Sequence, residues 1–505
     1  MATVRSTPSS REPRNPAATM AAAIARPPAP LLTPVDASAM AAMLRWRAAW
    51  FPSARRIDPR PHVSVNDTIR PMQLVRRLAA AQTFRALRHR NYRYLWLGQL
   101  GHSATLWMDQ VARAVLILDL TGSAMMLSLV IATRLAPILL FGLIAGAVAD
   151  RANRQRVLMS SQLVTFASHL FLGLMVTSGL IQVWMVFLTA FVSGTAMAFN
   201  QPVRQSLIPM TVPREDLLNA VALNSTALSL MRIGGGSLAG VLLIPFDPGG
   251  VYLVTAGIYA YVIFTTWMMR FPETSAPRRA EASLFGDLRE GFAYVGRNPE
   301  LAVVVALAVI LFVLGFPYQQ VFTPLLAKRV LDMGDSGVGF LAGATGVGAF
   351  VGSLVVAAKS TVARPGLQLL TNMFVFGAVL VLISLQATVW GTALLLAVAG
   401  AMTVTYMAFT NGILLERSDP AMHGRVMSLL SLDRGLIPLG AIIAGGLVEL
   451  VGVRPGLFVQ GVLVLACVTV AAVAAGPRLA AIRSAASGGE GSRRRAAAVP
   501  PAGRG

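Results

Sequence analysis

The chain has almost no cysteine and almost no lysine. Of its 505 residues one is cysteine, Cys467, which excludes an intrachain disulfide and a thiolate metal cluster. Two are lysine, Lys328 and Lys359, so the 43 basic residues are nearly all arginine. Charge is itself scarce, at 13% against 55% hydrophobic residues. That balance excludes an ordinary soluble globular protein. No G-x-x-x-x-G-K-[ST] stretch is present, so ATP-driven pumping would need another subunit. Neither a metal-ligand spacing nor a nucleophile, base and acid set stands out, and the expectation is no enzyme and no cofactor. The net charge of +21 sits in both tails and in short connectors, which is a pattern of membrane topology and not of nucleic-acid binding.

What is abundant is long apolar sequence. From Tyr92 onward, runs of hydrocarbon length recur near 92-119, 124-149, 157-178, 182-201, 217-244, 251-269, 301-327, 336-358, 366-386, 389-414, 426-450 and 455-475. A spanning helix needs about 20 residues. Runs this long without alternation exclude a barrel. The expected fold is therefore an all-α membrane protein with twelve transmembrane helices. Residues 1-83, rich in Pro, Ala and Arg, read as a disordered basic tail without a cleaved signal peptide, and 476-505 as a second such tail. A start at Met72, ahead of the basic amphipathic "QLVRRLAAAQTFRALRHRN", is the other reading of this end.

Arginine placement sets the orientation. Connectors after even-numbered helices hold fourteen Lys or Arg residues and those after odd-numbered helices hold three, Lys328, Arg329 and Arg454. Both termini are thus expected in the cytoplasm.

The chain also resembles itself. "RNYRYL" from Arg90 and "RNPELA" from Arg297 open helices 207 residues apart, while "SLAGVLL" from Ser237 and "IIAGGLV" from Ile442 lie 205 apart. A steady offset divides it into two pseudo-symmetric six-helix bundles, 84-270 and 300-475, joined by a cytoplasmic linker at 271-299.

In the turn after the second run stands "GAVADRANRQR", with Gly146, Asp150, Arg151, Arg154 and Arg156. It resembles the G-x-x-x-D-R-x-G-R-R signature of the major facilitator superfamily. Asn153 replaces the usual glycine, and since asparagine tolerates a left-handed backbone the tight turn is expected to survive. In that family the cluster is understood to latch the two bundles on the cytoplasmic side; the competing reading is that its arginines merely enforce topology. Its counterpart in the second half is degraded, because Gly352 is followed by "SLVVAAK" with no acid. Further stretches, "LGQLGHSATLWMDQVARAVLILDLTGSA", "NQPVRQSLIPMTVPREDLLNAVALNS" and "HGRVMSLLSLDRGLIPLGAIIAGG", look like the bacterial efflux branch that includes the enterobactin exporter. The resemblance implies a proton-driven exporter in the bacterial plasma (inner) membrane.

Charges inside the runs carry the functional signal. A central Asp or Arg costs about 2.5 to 3.5 kcal/mol on insertion scales, so it implies a partner or a wet cavity. Asp109 and Arg113 are four apart on one face, with His102 on the same stripe. Asp109 lies ten residues before Asp119, and Arg134 ten after Ala124. Both therefore sit about 15 Å from the intervening turn. Asp109 with Arg113 or Arg134 reads either as a proton-coupling site or as a static ion pair. Arg232 reads as a cargo contact or a strut, Asp433 and Arg434 as gate contacts, and His169 as a packing residue. "GFPYQQVFTP" offers Tyr318, Gln319 and Gln320 as cargo contacts, or a plain proline kink.

The expected function is export of a small molecule by alternating access with proton antiport, by a monomer whose partners are cargo, protons and membrane lipids and not nucleic acid. An importer or uniporter of the same fold, and a receptor or scaffold that moves nothing, are the competing classes.

Overall fold

In the computed structural model, residues 82-271, 284-358, 364-419, 422-426 and 435-481 are described. They are helical almost throughout. The first half contributes α1 (Arg90–Thr121), α2 (Ala124–Arg151), α3 (Arg154–Thr177), α4 (Val183–Thr211), α5 (Leu217–Leu242) and α6 (Pro248–Trp267). A shorter helix, α7 (Leu284–Arg297), precedes α8 (Pro299–Val330), α9 (Gly334–Ala358), α10 (Pro365–Leu385), α11 (Val389–Arg417), α12 (Ile437–Val451) and α13 (Val453–Ala481).

The connections are short because local chemistry stops and restarts each helix. Gly122, at φ 61°, ends α1, and its N–H donates to Leu118 O. Ser123 then caps α2 by accepting from the Met126 N–H. Asn153, Asp247 and Thr388 cap α3, α6 and α11 in the same way, each satisfying a donor that the helix start leaves open. Asn153 does this with φ −65°. The left-handed turn expected there is replaced by an extended N-cap, a conformation open to any residue but useful to a side chain with an acceptor oxygen.

Each of the twelve expected runs holds a helix. Among the described residues nine are long and apolar enough to cross a membrane. The other three are α1 and α5, long but more polar, and α12, which is shorter and apolar. Large apolar side chains stand fully outward, with Leu450 84% and Val473 80% exposed, as a hydrocarbon solvent permits.

Packing repeats between the halves. In the first half α1 lies against α5 and α6, α2 against α4, and α3 against α4 and α6. In the second, α9 lies against α11, and α10 against α11 and α13. Two crossings join the halves, α5 with α9 and α2 with α12, and these exchange under the same pairing of helices. Glycines make the crossings close. A methyl on Gly194 would overlap the Arg134 carbonyl oxygen, and one on Gly400 would overlap that of Thr345. The two glycines are 206 residues apart and do the same job in the two bundles. Between the bundles, Gly240 of α5 meets the Gly339 backbone of α9.

Two stretches depart from simple expectation. The linker at 271-299 contains α7, an amphipathic helix with Val295 buried and Phe292 exposed, while 272-283 lie outside the described residues. Within α8, three π-helical turns at Leu311–Gly315, Tyr318–Phe322 and Leu326–Val330 surround Pro317 and Pro324. Widened turns absorb hydrogen bonds that proline cannot complete. The tails at 1-81 and 482-505 lie outside the described residues, apart from a 3-10 turn at Gln82–Arg88 that leads into α1.

Candidate functional site

A cluster of ionisable side chains fills the core of the first half. Asp109 is 1% exposed, out of reach of bulk solvent. Arg113, one turn further along α1, donates to Asp109 Oδ1 from Nη2 at 2.8 Å and from Nε at 3.2 Å. Its Nη1 donates to Val186 O and Thr189 Oγ1 of α4, both at 3.2 Å. From α2, Arg134 Nη2 lies 2.8 Å from Asp109 Oδ2. One carboxylate thus holds two guanidiniums and joins three helices. Neutralising it would leave one buried and one partly exposed cation without a counter-charge, which is costlier than losing the group as a whole.

The third and sixth helices complete the cluster. His169 of α3 is buried, with Nε2 at 3.7 Å from Asp109 Oδ1. Its ring meets Tyr252 and Tyr259 of α6 edge-on, at centroid distances of 5.7 and 5.3 Å. The Tyr252 ring also lies 5.8 Å from the Arg113 guanidinium carbon, within range of a cation–π contact. His102 Nδ1 is 3.1 Å from the Tyr259 hydroxyl. A further buried cation, Arg204 of α4, donates to Asn200 Oδ1 at 3.3 Å. A small cavity is lined by Asp109, Arg134, His102, His169, Asn200 and Tyr259, together with hydroxyls of Thr105, Thr165 and Ser193.

A second group of contacts ties the halves at the end of the bundle where α1 turns into α2. Lys328 of α8 pairs with Asp119 of α1 and with Asp335 of α9, the latter at 2.6 Å. The Arg329 guanidinium donates to Gly122 O. Across the other crossing, Glu449 Oε1 of α12 accepts from Ser123 Oγ at 2.7 Å and from Met125 N at 3.1 Å.

The remaining expected residues are placed as follows. Gly146, Asp150 and Arg151 form the last turns of α2, and their side chains lie outside the described residues. Arg154 Nη1 is 2.9 Å from Met210 Sδ, and Arg156 is exposed. Between them Gln155 donates to Thr266 O and Met269 O, fastening the turn to the end of α6. The Arg232 guanidinium stacks over Trp107 of α1, 5.2 Å from the ring centroid. Tyr318 is buried beside Phe376, with its hydroxyl 3.5 Å from Thr403 Oγ1. Gln319 is buried and Gln320 half-buried. Asp433 and Arg434 lie outside the described residues.

Several participants are absent from the sequence reading. His169 is there a packing residue, and Arg204, three residues past the run at 182-201, is one of the fourteen connector charges, yet both belong to the buried cluster. A signal for His169 exists: Ser161, Gln162, Thr165, Ser168 and His169 recur at three- and four-residue spacing along an otherwise apolar helix. Such a polar stripe marks the face turned away from lipid.

A helical membrane bundle of two like halves, with charge buried in its core, is a membrane transporter of the major facilitator superfamily. The chain belongs to the transmembrane secretion effector family, whose model matches residues 81–490. It is similar to macrolide efflux protein A of Streptococcus pyogenes, at 21% identity over 74% of this chain and 93% of that protein. It is also similar to the staphyloferrin A transporter of Staphylococcus aureus, at 23% identity over 72% and 90%. Among solved structures, a bacterial homologue of the human lysosomal transporter Spinster, inward-facing and unoccupied, aligns with a TM-score of 0.58 at 16% identity, covering 76% of this chain and 95% of that one. These relatives are transporters and not enzymes.

Proposed function

We propose that this chain exports a small molecule by alternating access, with protons moving inward in exchange, and that Asp109 is the carboxylate that couples the two. The observation that carries this reading is Asp109 itself, 1% exposed and shared by Arg113 and Arg134 from two helices. Protonation there removes the counter-charge that holds α1, α2 and α4 in one arrangement, and so biases a two-state equilibrium. Export is favoured by the relatives whose names say efflux, macrolide efflux protein A among them.

With both termini in the cytoplasm, as fourteen basic connector residues against three imply, the tie through Lys328, Arg329 and Glu449 lies on the outer face. The conformation is then closed outward. In this scheme the bundles are 84-270 and 300-475, the linker 271-299 and the basic tails 1-83 and 476-505. Gly146, Asp150, Arg151, Arg154 and Arg156 form the cytoplasmic gate motif, with Asp433 and Arg434 near the same gate. Arg232 on Trp107, His102, and Tyr318, Gln319 and Gln320 are the cargo or interbundle contacts, in a monomer of the plasma membrane.

The test uses purified full-length chain in vesicles with an acidic lumen and a radiolabelled macrolide outside. Antiport predicts accumulation of the probe in the lumen while the pH gradient lasts, with collapse when it is dissipated. Equilibration that ignores the gradient contradicts proton coupling, and absence of flux contradicts export of this probe.

A further inference from the structure

Asp109 is sealed from bulk water, yet a coupling carboxylate must exchange its proton on the transport time scale. The two buried histidines beside it offer a route that the coupling role alone does not specify. His102 and His169 are 3% and 2% exposed, and both line the cavity that reaches Asp109. In each ring one nitrogen faces a polar neighbour. His169 Nε2 faces Asp109 Oδ1 at 3.7 Å, and His102 Nδ1 faces the Tyr259 hydroxyl at 3.1 Å. The other two nitrogens, His169 Nδ1 and His102 Nε2, have no hydrogen-bond partner among the described residues. A buried ring nitrogen without a partner costs free energy unless water or a proton donor meets it. The cavity between them is walled by hydroxyls and by Asn200, a polar setting that suits water.

We infer that His169 and His102 form a proton relay between Asp109 and the end of the bundle where α1 begins. This rests on the coupling role of Asp109. The balance is simple. Neutral His102, protonated on Nε2, first gains a proton on Nδ1 from the Tyr259 hydroxyl, which takes one in its place from water on the side nearer the start of α1. The His102 imidazolium gives its Nε2 proton to a cavity water, and that water passes one to Nδ1 of neutral His169, protonated on Nε2. The His169 imidazolium then gives its Nε2 proton to Asp109 Oδ1 once the two close from 3.7 Å, leaving two neutral rings, each now protonated on Nδ1, and a neutral carboxyl. In release every step reverses. Each ring passes a proton by gaining it on one nitrogen and losing it from the other, the shuttle chemistry that suits imidazole near neutral pH.

The charged surroundings fit the traffic. His169 faces Asp109 and Arg113 of α1, Arg134 of α2 and the Tyr252 and Tyr259 rings of α6. His102 faces Arg204 of α4, Arg134, His169 and Tyr259. Three arginines and one carboxylate surround the two rings, so Asp109 is the one anionic acceptor in the cluster. His102 lies seven residues before Asp109 on α1, about 10 Å toward the helix start, which gives the relay its direction.

The experiment is a pH jump on the purified full-length chain in lipid nanodiscs, followed by time-resolved infrared absorption of the protonated carboxyl band that Asp109→Asn removes. It needs no cargo. In wild type the band appears at the relay rate. In His169→Gln and in His102→Gln the same final amplitude is expected at a rate at least about tenfold lower, within the range for loss of a positioned proton-transfer group. Tyr259→Phe, which frees His102 Nδ1 but keeps the ring, is expected to slow the band by a smaller factor, and it serves if a histidine variant fails to fold. An unchanged rate in the folded variants overturns the relay while leaving the coupling role standing. Absence of any carboxyl band sensitive to Asp109→Asn overturns the coupling role, and the relay with it.

Discussion

The two halves share a helix plan and differ in what they bury. In the first, His102, Asp109, Arg113, His169, Arg204 and Asp216 are all below a tenth exposed. Among the described residues of the second half, the buried polar side chains are neutral: Gln319, Thr323, Thr345, Asn372, Thr403 and others of that kind. Matched glycines set the same close helix crossings in both, so the backbone repeat is independent of the chemistry placed inside it. The lesson is a division among the described residues, in which one bundle buries charged side chains and the other buries neutral polar ones. Each insertion of charge is costly in hydrocarbon, and among the described residues the first half bears that cost.

The comparison breaks most visibly at Asp109. Replacing it with alanine strands Arg113 and Arg134, and the expected loss of stability is about 3–5 kcal/mol, read by denaturant or thermal unfolding of the purified chain. The converse change sharpens the contrast. Thr403→Asp introduces an acid into the neutral half with no cation waiting for it, and about 2.5–3.5 kcal/mol is expected from insertion cost, by the same measurement. A variant as stable as wild type would mean that the second half tolerates charge as readily as the first.

Gly194→Val and Gly400→Val probe what the halves have in common. Both force a side chain against a backbone carbonyl across a crossing, and each is expected to cost about 1–3 kcal/mol. Unequal losses would show that the repeat is less faithful than its 206-residue offset suggests. The smallest effect is expected at the tie between halves. Lys328→Ala removes partly exposed ion pairs worth under about 1 kcal/mol each, so stability changes little. Spin-label distances across that end should nonetheless lengthen in a several-fold larger fraction of molecules, because a two-state equilibrium responds to small differences.

Much of the frame was legible because helix geometry is regular. Apolar runs of membrane length each held a helix, though they missed the amphipathic α7, and ten residues on either side of one turn put Asp109 and Arg134 at equal depth, where they lie 2.8 Å apart. The alternatives of Arg113 or Arg134 as partner were not alternatives, since a carboxylate has two oxygens and each takes one arginine. What depended on the facing of separate helices was not legible. His169 joins the cluster only because α3 packs on α6, and Arg204 only because α4 carries it inside instead of ending before it. The tie through Lys328 was visible only as three basic residues on the wrong side of a topology rule. Asn153 followed another rule than the one applied, capping the next helix where a left-handed turn was expected.

The central claim is that proton coupling resides at one carboxylate of the first half. Its most direct test compares Asp109→Asn with wild type in vesicles with an acidic lumen and a macrolide probe. The account predicts that the variant still lets the probe equilibrate but no longer concentrates it. Concentration at the wild-type level, collapsing with the gradient as before, would contradict it.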